Sequence, residues 1–329
     1  MTVATATDTL DGVIFILTER CNSRCTTCDY WLIDEPATLD AGDVESFWVG
    51  HVATRPRFVT LTGGEPLLYS DLFRLARFLG PRTESLVLST NGIRLARYAL
   101  HVAEHFDKVI VSLDGARPET VRAIRGVDEY DRVMDGVVRL CTAPVGPAII
   151  LKMVIQRRNF TELPGFLSLA RRLGVDGIAL AIPDVSSDGF IREEDRRVTK
   201  TPELLLTGDE SKAFDDIVRA VERDHADDLV PGYLLEGNLD RFVTVFRHRA
   251  GVGPPPPLRS CPVATSRLIV TAAGDILPCF FRAPIGTIRD APQGDFFSSP
   301  AAVVLRDGFD PGSNEACLKC EQFLDWRFR

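Results

Sequence analysis

Seven of the eight cysteines fall into two groups, Cys21, Cys25 and Cys28 near the start and Cys261, Cys279, Cys317 and Cys320 near the end. Three thiolates this close together can wrap one metal centre from a single loop. Spacings of three and two intervening residues are awkward for zinc, which prefers its ligands in two pairs. They suit an iron–sulfur cube with one iron left open, and an open iron can bind a small chelating ligand. A zinc site or unrelated buried thiols are the plainer readings. In the second group, Cys261 and Cys279 flank a candidate hairpin, and Cys317-x2-Cys320 lies beyond it. Four thiolates so placed can close a tetrahedral site, and a zinc ribbon is their plainest reading. Cys141 is left over.

These residues need elements to position them. Short apolar runs recur at Val13–Leu17, Phe58–Thr62, Leu86–Ser89, Val109–Leu113, Ile149–Ile155 and Ile178–Ile182. They are rich in Val, Ile and Leu without clean alternation, as in parallel strands buried on both faces. Amphipathic stretches separate them: Ala41–Gly50, Asp71–Leu79, Leu95–His105, Asp131–Cys141 and Glu162–Leu173. The alternation of strand and helix predicts a parallel α/β sheet, open or barrel. Cys141 shares an apolar helix face with Val133, Met134, Val137 and Val138, which predicts a core thiol outside any lumen. After Pro183 a polar loop is expected, then a helix over Asp209–Asp228 capped by Asp209, and another over Leu234–Arg249. Gly251–Pro257 (GVGPPPP) reads as a stiff linker. Arg267–Val270 and Ile276–Leu277, joined through Gly274, read as a hairpin.

The chain has 329 residues, 45% hydrophobic and 26% charged, an ordinary globular balance. Its net charge of −8 argues against nucleic-acid or membrane-surface partners. No apolar run reaches the ~18 residues of a membrane span, and residues 1–11 lack a secretory signal, so a cytoplasmic protein is expected.

Four motifs stand at or just beyond successive strand ends. They are Cys21-x3-Cys25-x2-Cys28, Thr62-Gly63-Gly64-Glu65-Pro66, Ser89-Thr90-Asn91-Gly92 and Ser112-Leu113-Asp114-Gly115, and Arg125-Gly126 lies further on. Singly, each glycine motif is an ordinary turn. In this order they resemble the radical S-adenosylmethionine (SAM) superfamily. Thr27 departs from an aromatic residue that many members carry before the third Cys.

The resemblance implies a partial (β/α)6 TIM-like barrel over residues 12–185. It implies a β-hairpin/helix twitch subdomain, a shortened SPASM domain, over 258–329, while the helical insert and linker between them, 186–257, match nothing in the family. It implies two [4Fe–4S] clusters: one on Cys21, Cys25 and Cys28 that binds SAM, and an auxiliary one on Cys261, Cys279, Cys317 and Cys320. SAM contacts would come from Gly63, Gly64, Glu65, Ser89, Asn91, Ser112 and Arg125, with Glu65 accepting from the SAM ammonium. SAM would be cleaved to a 5′-deoxyadenosyl radical that takes hydrogen from substrate, with electrons from a flavodoxin or ferredoxin.

Twitch and SPASM relatives modify peptides or act on antibiotic-pathway sugars and aminocyclitols. With the first strand starting near Gly12, no leader-binding domain is expected, which favours a small carbohydrate-like substrate. Lys152, Gln156 and Asp184 are the expected lumen groups, with Lys152 and Asp184 as catalytic candidates. No thiol is spare, so alcohol oxidation to a ketone is expected over epimerisation, for which Tyr30 or Tyr233 would have to donate hydrogen. The residues would also fit a peptide maturase or a zinc-binding adaptor without enzymatic activity.

Overall fold

The structure is a computed structural model that describes residues 10–185, 203–225, 239–254, 266–291, 294–307 and Asp310. Cys261, Cys317, Cys320 and Tyr233 lie outside the described residues, as do the last three prolines of the expected linker, 255–257.

Six parallel strands form the frame: β1 (Gly12–Ile16), β2 (Phe58–Thr62), β3 (Leu86–Thr90), β4 (Lys108–Ser112), β5 (Ala148–Val154) and β6 (Gly177–Ala181). Each expected strand is present, within one residue at either end. They lie side by side in sequence order in a sheet that does not close, as in a partial barrel. The helices between them are α1 (Ala41–His51), α2 (Leu72–Leu79), α3 (Leu95–His105), α4 (Pro118–Arg125), α5 (Tyr130–Cys141) and α6 (Leu163–Leu173).

The strand faces differ in kind. Val13, Phe15, Val59, Leu61, Leu88, Val109, Val111, Leu151 and Met153 are buried in one core cluster with the helices' apolar stripes. Each such side chain contributes about 1.5–3 kcal/mol by leaving water. The alternate residues, Thr60, Thr62, Ser89, Ser112, Lys152 and Ala179 among them, face a cavity. The strands therefore do alternate, apolar toward the helices and small or polar toward the lumen. Apolar Ile14, Phe58 and Ile110 on the lumen face blur that period in the sequence.

The C-terminal hairpin is present as β7 (Arg267–Val270) and β8 (Asp275–Leu277), paired antiparallel, with β9 (Gly286–Thr287) beyond. Its first strand pairs parallel with β1, so the hairpin extends the main sheet. The expected 209–228 helix is α7 (Gly208–Asp224), and its cap is Thr207 rather than Asp209. The Thr207 hydroxyl accepts from Glu210 N while the Glu210 carboxylate accepts from Thr207 N, which satisfies two orphan donors reciprocally. α8 (Leu239–Arg249) follows, and α9 (Pro300–Asp307) closes the described chain. No helix among the described residues is long and apolar enough to cross a membrane.

Candidate active site

The three-cysteine loop leaves β1 and is docked by backbone on three sides. Gly64 N donates to Thr18 O at 2.7 Å and Glu65 N to Arg20 O at 2.8 Å. Arg24 N and Thr26 N donate to Arg125 O and Ile124 O at 2.8 and 2.9 Å, the last carbonyls of α4. Asn91 Nδ2 donates to Asn22 Oδ1 at 2.8 Å. A Cβ on Gly64 would fall under 3.0 Å from the Arg20 and Glu19 carbonyl oxygens, so only glycine permits this approach. The glycine motif, the Asn motif and the Arg125-Gly126 turn thus form a cradle for the cysteine loop.

Cys21, Cys25 and Cys28 line one cavity of about 320 Å³, together with Gly63, Gly64, Ser89, Asn91, Ser112 and Arg125. Nine of the expected cluster and SAM residues therefore meet at one place. Burial pushes the Cys21 thiol up to about 11 and raises Cys25 as well. The Arg125 guanidinium pulls both back, favouring the thiolate a metal needs. Two donors also aim at the Cys21 sulfur, Ser23 N at 3.4 Å and Asn91 Nδ2 at 3.9 Å. Among the described residues no three Cys, His, Asp or Glu side chains converge as they would around a single ion. An iron–sulfur cube takes each thiolate on a different iron, and three thiolates from one loop on one cavity wall fit a cube with one iron left open. The Ser23 hydroxyl, buried on the cavity wall with no partner, is a further donor ready for a bound group.

Glu65 stands behind the wall, fully buried and not on the cavity. Its Oε1 accepts from Leu67 N at 3.0 Å and Thr90 Oγ1 at 2.7 Å, and its Oε2 accepts from Asn91 N at 2.7 Å. It fastens the end of β3 to the glycine turn, beside Gly64 and Asn91 on the cavity wall. We expect Glu65→Gln to set an amide NH2 against one of these N–H donors and cost about 1–3 kcal/mol of stability, read by thermal melting. SAM affinity should fall through displaced Asn91. An unchanged melting temperature would show that the buckle is idle.

Asp114 holds the next strand end in a left-handed conformation, φ 63°. One of its oxygens accepts from Val154 N at 2.7 Å, and the other pairs with Arg125 at 2.8 Å. Lys152 and Asp184 both line the cavity. Gln156 does not. β5 ends at Val154, the chain turns, and Gln156 is fully buried beneath the cysteine loop, where its Oε1 accepts from Thr26 Oγ1 at 3.4 Å. Cys141 packs on the core from α5, away from the cavity. Tyr30 lines the cavity just beyond Cys28.

Sequence reasoning missed Asn22, Ser23 and the whole of α4. The signal for α4 was Pro118 at its first position and Gly126 just past its end. It also missed the far end of the lumen, where Arg267 of β7 lies over the Phe58 ring, 5.0 Å from its centroid. The Phe58 ring occupies the space a side chain on Gly12 would need.

Residues 15–170 match the model of the radical SAM superfamily, and residues 261–321 match SPASM, an iron–sulfur cluster-binding domain. The chain belongs to the radical SAM superfamily. The radical SAM protein is 34% identical over 184 residues to a probable GTP 3′,8-cyclase of Saccharolobus islandicus, covering 52% of this chain and 56% of that one. It is 31% identical over 207 residues to a GTP 3′,8-cyclase of Rhizobium etli, covering 60% and 58%. It thus spans little more than half the length of these curated relatives. By fold it is similar to Streptococcus suis SuiB bound to S-adenosylmethionine, with TM-score 0.66 at 13% identity, covering 95% of this chain and 72% of that one. It is similar also to anSMEcpe with bound AdoMet, with TM-score 0.64 at 14% identity, covering 94% and 88%. The cofactors are SAM and two [4Fe–4S] clusters. Cys21, Cys25 and Cys28 are placed to hold one; of the four candidate ligands for the other, Cys279 alone lies among the described residues.

Proposed function

We propose that this radical SAM enzyme oxidises an alcohol carbon of a small polar substrate held in the lumen. The observation that carries the reading is the part of the wall not assigned to cluster or SAM, where Lys152, Asp184 and Thr60 stand among Phe58, Ile110 and Ile182. When bound, SAM on the reduced cluster supplies the means to take a hydrogen atom from carbon. The chain's part is to orient and to exclude water. Gly63, Gly64, Glu65, Ser89, Asn91, Ser112 and Arg125 would hold SAM, with Glu65 also fixing Asn91. Completing the oxidation also removes a proton and an electron. Asp184 would take the proton, and the auxiliary centre on Cys261, Cys279, Cys317 and Cys320 would accept the electron, with a flavodoxin or ferredoxin reducing the enzyme.

Among the described residues, the thiols on the cavity wall are Cys21, Cys25 and Cys28, all assigned to iron. A carbon radical needs a hydrogen-atom donor to be epimerised, and none but Tyr30 is at hand on the described wall. This favours oxidation. The relatives named for GTP match over only part of their length, so GTP belongs in the substrate panel beside sugars, aminocyclitols and peptides.

The test is anaerobic incubation with SAM and reductant, scored by 5′-deoxyadenosine release above the substrate-free rate. In deuterium oxide, oxidation gives a product about two mass units lighter with no deuterium at the reacting carbon. A product of unchanged connectivity with a carbon-bound deuterium would instead establish an epimerase, and its loss in Tyr30→Phe would name the donor. Release triggered only by peptides would overturn the small-molecule reading.

A further inference from the structure

The lumen holds the ammonium of Lys152. Lys152 is on the inward face of β5, beside Ser112 of β4 and Ala179 of β6 in the strand register. Its ammonium donates no hydrogen bond among the described residues, yet it lines the cavity where the substrate must lie. The charges that act on it are those of Asp114 and Arg125. These two pair with one another at 2.8 Å, and the second Asp114 oxygen is already taken by Val154 N. The Asp114 carboxylate is shared with Arg125 and Val154 N, so it answers the Lys152 charge only in part. Burial pulls its pKa down, which marks how poorly the site solvates the charge. An ammonium in such a place needs an opposite charge or it is costly to keep. Ala179 and Ala181 leave room beside the side chain.

We propose that the lumen takes its substrate by an anionic group, a phosphate or a carboxylate, set on Lys152. The inference rests on reading the lumen as the substrate site. It narrows the substrate class, because the ammonium of an aminocyclitol would be repelled at this point while a sugar phosphate, a sugar acid or a nucleotide would be drawn in. Asp184 then remains as the group for the substrate's proton.

The test exploits the scarcity of lysine, since the chain has five: Lys108, Lys152, Lys200, Lys212 and Lys319. The reconstituted, SAM-loaded holoenzyme is acetylated with acetic anhydride, and each lysine is followed by mass spectrometry. Inorganic phosphate, acetate and glucose serve as probes. An occupying anion should slow labelling of Lys152 about tenfold, the scale of one charge-assisted hydrogen bond, without slowing the other four. Stronger protection by phosphate assigns a phosphate, stronger protection by acetate a carboxylate. Glucose should give none. Equal labelling with and without either anion would overturn the proposal, as would full protection by SAM alone, which would put Lys152 on the SAM carboxylate. Lys152→Gln should keep its SAM affinity by equilibrium dialysis, and Lys152→Arg should restore anion-stimulated 5′-deoxyadenosine release where Gln loses it. A protected Lys152 with no small anionic substrate turned over would keep the anion site and sink the small-molecule oxidation.

Discussion

Replacing Cys21, Cys25 and Cys28 together by Ala should lower the iron of the anaerobically reconstituted protein from about eight atoms to about four, two cubes to one. SAM cleavage should vanish. The fold should not. The loop that carries the cysteines is held by main-chain bonds to the glycine turn and to the end of α4, and by the Asn91–Asn22 amide pair. None of these uses a thiol. The circular dichroism spectrum should be unchanged, and the remaining four irons should report the C-terminal cysteines. Iron content unchanged in the triple variant would place the cluster elsewhere. Zinc filling the C-terminal site would show that the second group is a ribbon and not a cluster.

Much of this was legible in the sequence because it depends on local pattern. The six strands announced themselves by short β-branched runs, and the cysteine loop by residue type and spacing. What was not legible depends on pairing across long separations. Nothing local says that Arg267 lies level with Gly12, or that β7 joins the sheet beside β1. Glu65 was read as a SAM contact from the resemblance, which says nothing of its bonds within the protein. Only the fold shows that Leu67, Thr90 and Asn91 use both its oxygens. Gln156 seemed to continue the inward period of β5, but that period ends where the strand does, at Val154. Thr207 was passed over for Asp209 as a cap, although Thr207 and Glu210 have the spacing of a capping box. Lys152 was legible for the opposite reason: a charge in an apolar strand is costly unless it faces a cavity, and it does.

Gly126→Ala should cost the protein its N-terminal cluster, and Gly174→Ala should not. Both glycines end helices in the left-handed conformation at φ 70°. An alanine at either site carries the same backbone penalty, about 1 kcal/mol. The two differ in what a Cβ would meet. At Gly174 it meets nothing within 4 Å, whereas at Gly126 it falls under 3.0 Å from the Arg24 carbonyl oxygen. That oxygen belongs to the residue before Cys25, and Arg24 N is already bonded to Arg125 O. Backbone against backbone cannot be relieved by a rotamer change, so the cysteine loop must lift from α4. Cys25 would move with it, along with the Arg125 charge that favours its thiolate. Gly174→Ala should therefore lower the melting temperature by about 2–4 °C and keep about eight irons. Gly126→Ala should fall to about four irons and lose SAM-dependent cleavage. Equal iron in the two variants would mean that the cysteine loop does not need its seat on α4, and the cradle described for it would have to be abandoned.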